Sequence, residues 1–307
     1  MKIPSVFPKF IGAVLSLSLA AIAQPVHAVT SVVTSTPELA ELARQVGGSK
    51  VSVYSIARPN SDYHAIEPRP SDVQRIARAG LVVRSGLSLD VWMDALSRAS
   101  NNSQFNVGGA RYVDASAGIP RIEVPTAQIT GASGDVHPEG NPHYYYDPIY
   151  AKFVARNILR GLIRVDAANA DSYRANYKAF NAEIDRRMIG WSRELAPYRG
   201  KPVVTYHRSY SFFIRRFGLR NFATIEPRPG IPPSARHINA LTQQMKSAGV
   251  KAVVIESIYP TRYADLLTRQ TGAKYVVAPY SVGSLGTKDY FGMIDLMVDR
   301  FKQAYTQ

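Results

Sequence analysis

Apolar and polar positions change their period again and again along this chain. Thr30–Ser35 is a short β-rich run, and Thr36–Val46 then carries apolar residues at helical spacing until Gly47-Gly48 stops it. Val51–Ile56 reads as the next strand. Pro70–Ala79 reads as a helix with Ser71 as its candidate cap, Leu81–Arg84 as an apolar strand, and Tyr112–Asp114 as a further short strand. Alternation of this kind predicts a parallel sheet covered by helices.

Residues 115–142 are rich in Gly, Pro, Ser and Ala, lack any period, and read as a long surface loop. Asp147-Pro148 opens a helix that runs to about Val165. The next stretch, Ala167–Leu195, has few breakers, and Tyr173, Tyr177, Phe180 and Ile184 fall on one stripe. A helix of that length is roughly 40 Å long, which suits a rigid connector better than an element within one lobe. Beyond it the alternation resumes: Val203–Tyr206 a strand, Ser209–Phe217 a helix, Ser234–Ser247 a helix capped by Ser234, Ala252–Glu256 a strand, Thr261–Thr271 a helix, Tyr275–Ala278 a strand, and Tyr290–Thr306 a closing helix. No close internal sequence repeat stands out. The expected fold is α/β, with two lobes, each a parallel sheet flanked by helices, joined by one long connector helix. The lobes are expected at 29–165 and 197–307, with the connector at 166–196.

Residues 1–28 look like a leader. Lys2 and Lys9 give a basic start, Phe10–Ala23 is apolar, and Val26-His27-Ala28 resembles a cleavage site. The apolar run is short for a membrane span, and no other segment is apolar enough for one. The expectation is a cleaved signal peptide and a mature chain of about 279 residues in the periplasm. The chain has no cysteine. Disulfides, a lipid anchor and thiolate metal ligands are therefore not expected, and any metal must be held by nitrogen and oxygen. The formal charge is +14, from 37 basic and 23 acidic side chains. The basic residues are scattered, with no basic run, Arg-Gly repeat or zinc-finger spacing, so nucleic acid is not the expected partner.

Three of the six histidines stand in distant segments that would open onto a cleft. They are His64 in Asp-Tyr-His-Ala-Ile-Glu-Pro-Arg-Pro-Ser-Asp, His143 in Asn-Pro-His-Tyr-Tyr-Tyr-Asp-Pro, and His207 in Val-Val-Thr-Tyr-His-Arg-Ser-Tyr. Imidazole is the commonest neutral ligand for zinc and its neighbours. Ligands in open parallel sheets bind beyond the carboxyl ends of the strands, and His207 and Glu256 each follow an apolar β-run. Three neutral imidazoles leave the charge of a dication uncompensated, which favours a carboxylate as complement. Glu256 is the choice for the fourth metal position, and water, His137 and Tyr280 are the other candidates. His137 reads as an exposed loop residue, His237 as a surface residue, and Tyr144-Tyr145-Tyr146 as packing around the second ligand. Because imidazole must be neutral to ligate, binding is expected to weaken as pH falls through about 6.5.

At these residues the chain resembles the zinc/manganese-binding periplasmic solute-binding proteins, the capture subunits of metal-type ABC importers. The resemblance covers essentially the whole mature chain. It is carried by Asp62-Tyr63-His64 with Glu67-Pro68 and Pro70-Ser71-Asp72, by Asn141-Pro142-His143 with Asp147-Pro148, by Tyr206-His207, and by Ser234-Ala235-Arg236. It implies a metal held between two lobes by His64, His143 and His207, with zinc the expected cargo and manganese the alternative. It also implies delivery to an inner-membrane ABC permease by a monomer that meets the membrane only through that permease. The chain departs from the family pattern in two places. Many members carry an acidic ligand after the last strand, where this chain reads Val277-Ala278-Pro279-Tyr280-Ser281. Many zinc-binding members also carry a long His- and Asp-rich loop before the second ligand, where this chain offers only Asp135, His137 and Glu139.

The rival reading, from another class, is a secreted zinc hydrolase with three histidine ligands. The sequence has no His-Glu-x-x-His helix, no His-x-His pair and no Gly-x-Ser-x-Gly elbow. No residue beyond Glu256 is nominated as a general base, and the expectation is that the protein is not an enzyme.

Overall fold

The computed structural model describes residues 1–2, 29–130 and 133–306. The leader read at 1–28 lies almost wholly outside the described residues. Two parallel sheets of four strands form the frame. The first contains β1 (Thr30–Thr34), β2 (Val51–Ser55), β3 (Leu81–Arg84) and β4 (Tyr112–Asp114), in the order β2-β1-β3-β4. The second contains β5 (Pro202–Thr205), β6 (Arg220–Thr224), β7 (Ala252–Glu256) and β8 (Lys274–Ala278), in the order β6-β5-β7-β8. The two orders are the same, so each lobe reverses its winding beside its first strand. That is the point where an open α/β sheet leaves a crevice.

Helices cover the sheets: α1 (Pro37–Gly47), α2 (Pro70–Ala77), α3 (Trp92–Ala99) and α4 (Pro148–Val165) on the first, and α6 (Ser211–Arg216), α7 (Ala235–Ser247), α8 (Arg262–Thr271) and α9 (Tyr290–Thr306) on the second. The connector, α5 (Ala170–Leu195), has 26 residues and lies between the lobes. Its buried side chains, Tyr173, Phe180, Ile184, Trp191 and Leu195, keep one face of the helix turned inward. Asn176 near its start donates to the Val46 carbonyl of α1 at 3.0 Å. Near its end, Trp191 Nε1 donates to Asp295 of α9 at 2.7 Å. One apolar core runs through both lobes, and Tyr145, Tyr146, Tyr210, Tyr280 and Tyr290 lie within it, all fully buried. Among the described residues no helix is long and apolar enough to cross a membrane.

Three local details differ from the pattern read above. The cap of α2 is Arg69, with Pro70 in the first turn, where a missing N–H is harmless; Ser71 lies inside the helix. Asp72 takes the Arg69 backbone N–H at 2.8 Å and does the work expected of Ser71. The helix α3 and the strand β6 were not anticipated. β6, Arg-Asn-Phe-Ala-Thr, is an edge strand with no fully buried residue, so it lacks the apolar run that marks its neighbours.

Candidate metal centre

The first site histidine is set by a turn. After β2 the chain loops to Asp62, which caps a single helical turn over Tyr63–Ala65. Asp62 Oδ1 accepts the His64 backbone N–H at 3.0 Å and lies 2.7 Å from His64 Nδ1. A carboxylate only accepts, so Nδ1 carries the proton and Nε2 is left with its lone pair free. Tyr63 is fully buried, and its hydroxyl donates to the Glu38 carboxylate at 3.0 Å.

The second histidine is set by an amide. Asn141 Oδ1 accepts the His143 N–H at 2.9 Å, while its Nδ2 donates to the Arg208 carbonyl at 2.8 Å and to Glu123 at 2.9 Å. The segment before α4 is thereby tied to the second lobe. His143 Nδ1 lies 3.1 Å from the Tyr145 hydroxyl. Asp147 caps α4 through the Ile149 N–H at 2.9 Å and pairs with Arg216 at 2.7 Å, so it serves the helix start and not an imidazole.

His207 follows β5 by two residues and is buried. Its Nδ1 is hydrogen-bonded to Glu226 Oε1, which follows β6 by two residues and is also buried. The other Glu226 oxygen accepts the Gly230 N–H at 3.3 Å.

His137, expected to be exposed, is half-buried against the cluster. Its loop is locked to the second lobe, with Asp135 N–H donating to the Pro229 carbonyl at 2.8 Å. Glycine is required on both sides of that contact. Gly134 (φ 74°) and Gly230 (φ 74°) have left-handed backbones, and a Cβ on either would lie 2.1 Å from an atom of the other segment. The His137 ring is further held by the Ser88 backbone.

The four rings converge. Ligand nitrogens of His64, His137 and His143 all lie within 4.8 Å of one another, and His64 Nε2 and His137 Nε2 are 3.0 Å apart. The His207 nitrogens are not in that group; its ring packs edge-on at 5.5 Å from His64 and 5.3 Å from His143, centroid to centroid. His143 Nε2 is buried with no hydrogen-bond partner. An orphaned nitrogen facing three more imidazoles is what a metal ligand without its ion looks like, and the donor set fits a transition-metal dication. Burial and the neighbouring rings push His137 and His207 down to about 3 and His143 well below its ordinary range. These three rings therefore stay neutral well below the pH of 6.5 expected from free imidazole. A cavity of about 680 Å³ opens onto His137, His143 and His207 and gives an ion a way in.

Glu256 ends β7 as expected, but its carboxylate is not among the converging ligand atoms. Oε2 lies 3.4 Å from the His207 backbone N–H, Oε1 has no partner, and burial pushes its pKa up to about 8. Tyr280 is fully buried against Tyr63, ring centroids 4.8 Å apart, and its hydroxyl has no hydrogen-bond partner. The half-buried His237 lies in α7, 3.4 Å from the Thr224 carbonyl. Tyr144, Tyr145 and Tyr146 are all fully buried.

Glu226 was missed from sequence, although a signal existed. Ile66-Glu67-Pro68-Arg69-Pro70 recurs letter for letter as Ile225-Glu226-Pro227-Arg228-Pro229. The first copy follows β2 and the second follows β6, which hold the same place in the two sheets.

Two parallel α/β lobes, a long helix between them and a buried imidazole cluster at the strand ends define a metal-binding solute receptor. The family profile described as "Zinc-uptake complex component A periplasmic" matches residues 32–304. The chain belongs to this family, the substrate-binding proteins of metal-type ABC importers. It is similar to the iron-binding protein YfeA of Yersinia pestis, at 23% identity over 90% of this chain and 86% of that protein. It is similar also to the high-affinity zinc uptake system protein ZnuA of Bacillus subtilis, at 24% identity over 79% of this chain and 76% of that one. A crystal structure of ZnuA superposes with a TM-score of 0.75 at 23% identity, over 90% of this chain and 99% of that chain.

Proposed function

We propose that this protein captures zinc in the periplasm and delivers it, as a monomer, to an ABC permease in the inner membrane. The cargo sits between the lobes on His64, His137, His143 and His207. The convergence of these four imidazoles carries the reading. Three nitrogen donors that lie within 4.8 Å of one another, on His64, His137 and His143, with the His207 ring packed against His64 and His143 and no carboxylate in the group, suit zinc, whereas manganese prefers more oxygen. Relatives are named for iron and for zinc, so they agree on a metal and differ on which one. The donor chemistry of this chain is what favours zinc. Copper binds nitrogen sites more tightly still, so affinity alone does not name the cargo. The decisive experiment is metal analysis of protein purified from its own periplasm, followed by competition titration. Zinc at one equivalent supports the reading, and manganese or iron at one equivalent overturns it.

A carrier needs no general base and no substrate pocket beside the metal. Of the buried carboxylates near the cluster, Glu226 and Glu38 are engaged by His207, Gly230 and Tyr63, and Glu256 takes the His207 N–H on one oxygen only. Turnover of generic ester or phosphate substrates by the zinc-loaded protein would revive the hydrolase reading.

A further inference from the structure

Four imidazoles are neutral, so a dication on them would keep its full charge in a largely buried place. An ion in that position needs compensation nearby, because an uncompensated charge out of water is costly. The family pattern supplies it with an acidic ligand after the last strand. In this chain that stretch is Val277–Ser281 and has no carboxylate.

The compensation lies one atom layer further out. Asp62 stands behind His64 at 2.7 Å, and Glu226 stands behind His207 on its Nδ1. The other two rings rest on neutral groups, the Tyr145 hydroxyl behind His143 and the Ser88 backbone behind His137. The carboxylates therefore number two, one per lobe, each on the far nitrogen of a ligating ring. We propose that Asp62 and Glu226 supply the two negative charges that a dication requires and set this site's preference for divalent over monovalent cations. The inference rests on the reading that His64 and His207 hold the cargo.

Each carboxylate makes its imidazole more electron-rich and fixes its ligating nitrogen. With both in place a dication reaches electrical balance, whereas a monovalent ion leaves one negative charge in excess. Asp62 has a second task, since it also caps the turn that carries His64. Glu226 has only the ring and the Gly230 N–H.

The test compares Zn²⁺ with Cu⁺. Both have a filled d shell, so neither gains from a preferred d-electron geometry, and charge separates them. Asp62→Asn, Glu226→Gln and the double variant are titrated with Zn²⁺ against a chromophoric chelator, and with Cu⁺ against a copper(I) chelator under anaerobic reducing conditions. Each single variant is expected to lose roughly ten- to a hundredfold in Zn²⁺ affinity. Cu⁺ affinity should change less, so that the Zn²⁺/Cu⁺ ratio falls by at least tenfold in the double variant. Parallel losses for both ions would reduce the carboxylates to ring positioning and overturn the proposal, as would unchanged Zn²⁺ affinity. If Glu226→Gln fails to fold, Asp62→Asn alone still decides, because Asp62 is partly exposed. Unchanged Zn²⁺ binding by His64→Ala and His207→Ala would instead sink the site itself, and that result is distinguishable from failure of the charge argument.

Discussion

The two halves of the candidate metal centre are built differently. In the first lobe His64 rides on a single turn in a loop, its partner Asp62 has a side chain 38% exposed, and burial of that carboxyl is outweighed by the hydrogen bond and charge of His64, so its pKa is lowered. In the second lobe His207 follows a strand directly, its side chain and that of Glu226 are 4% and 3% exposed, and burial pushes Glu226 up to about 8. The sheets have the same strand order, so topology does not account for the difference. What differs is burial. One half is a soft, solvent-touched arm, and the other is a wall whose polar groups have few alternatives to one another.

The largest effects should come from the rings common to both halves. His143→Ala and His207→Ala are each expected to lower zinc affinity by roughly a hundredfold or more, above the loss typical of removing an outer partner. Competition titration reads this directly. Unchanged curves for both variants would remove the site as drawn.

Stability of the metal-free protein sharpens the contrast. Glu226→Ala leaves the buried His207 Nδ1 without its partner and should destabilise the fold by about 2 kcal/mol, the range for a buried polar group left unsatisfied. Asp62→Ala loses a cap and an accessible contact, and should cost only about 1 kcal/mol. Urea unfolding of the two variants without metal tests the ranking. Equal losses would mean that the two halves are equally rigid.

A third carboxylate lies between the halves. Glu38 of α1 is fully buried, takes the Tyr63 hydroxyl, and accepts the Val282 N–H of the second lobe at 3.1 Å. Burial, opposed by these hydrogen bonds, pushes its pKa up to about 7 from 4.5. A carboxyl raised in the folded state holds a proton that the unfolded chain has released. Its contribution therefore declines as pH rises from 4.5 and is fully lost above about 7, an effect of roughly 3 kcal/mol. Glu38→Gln should flatten that decline in the metal-free protein, read as the urea midpoint from pH 5 to pH 8. An unaltered slope would place the buried charge elsewhere, in Glu226 or Glu256, which act in the same direction up to about 8. The buried histidines act oppositely. Held down to about 3, they remain neutral while the unfolded chain gains protons below 6.5, so stability falls on that side too.

Much of this was legible in the residues, for identifiable reasons. β7, Ala-Val-Val-Ile-Glu, is buried at every position, so its apolar run announces a strand flanked on both faces. The 26-residue helix betrayed itself by a stripe of aromatic residues and a lack of breakers. Edge strand β6 stayed hidden because a half-buried edge has no apolar signature. Glu226 stayed hidden with it, since the strand that positions it was not read. His137 was misjudged because a Gly-rich loop looks free in sequence, and only the Gly134–Gly230 contact shows that it is pinned. The expected titration near 6.5 was that of a free imidazole, and burial is a property of the fold that no single residue announces.

The smallest predicted effect concerns the fourth position, where the contrast between soft and rigid parts is sharpest. Glu256 ends a fully buried strand, and its raised pKa of about 8 leaves it largely protonated at neutral pH. Gln in its place keeps the shape and an acceptor for the His207 N–H, so Glu256→Gln should change zinc affinity by less than about threefold, under 1 kcal/mol. His137 lies on the loop but brings a nitrogen to within 3.0 Å of His64 Nε2. Removing it with His137→Ala should open one position to water and weaken zinc by roughly tenfold, with little effect on the metal-free fold. A cobalt-loaded protein gives an independent readout, because its visible spectrum follows the donor set and not the stability. If His137→Ala leaves the cobalt spectrum intact and Glu256→Gln changes it, the strand carboxylate is the fourth ligand. The site would then be nitrogen and oxygen in character, and the case for zinc over manganese would weaken with it.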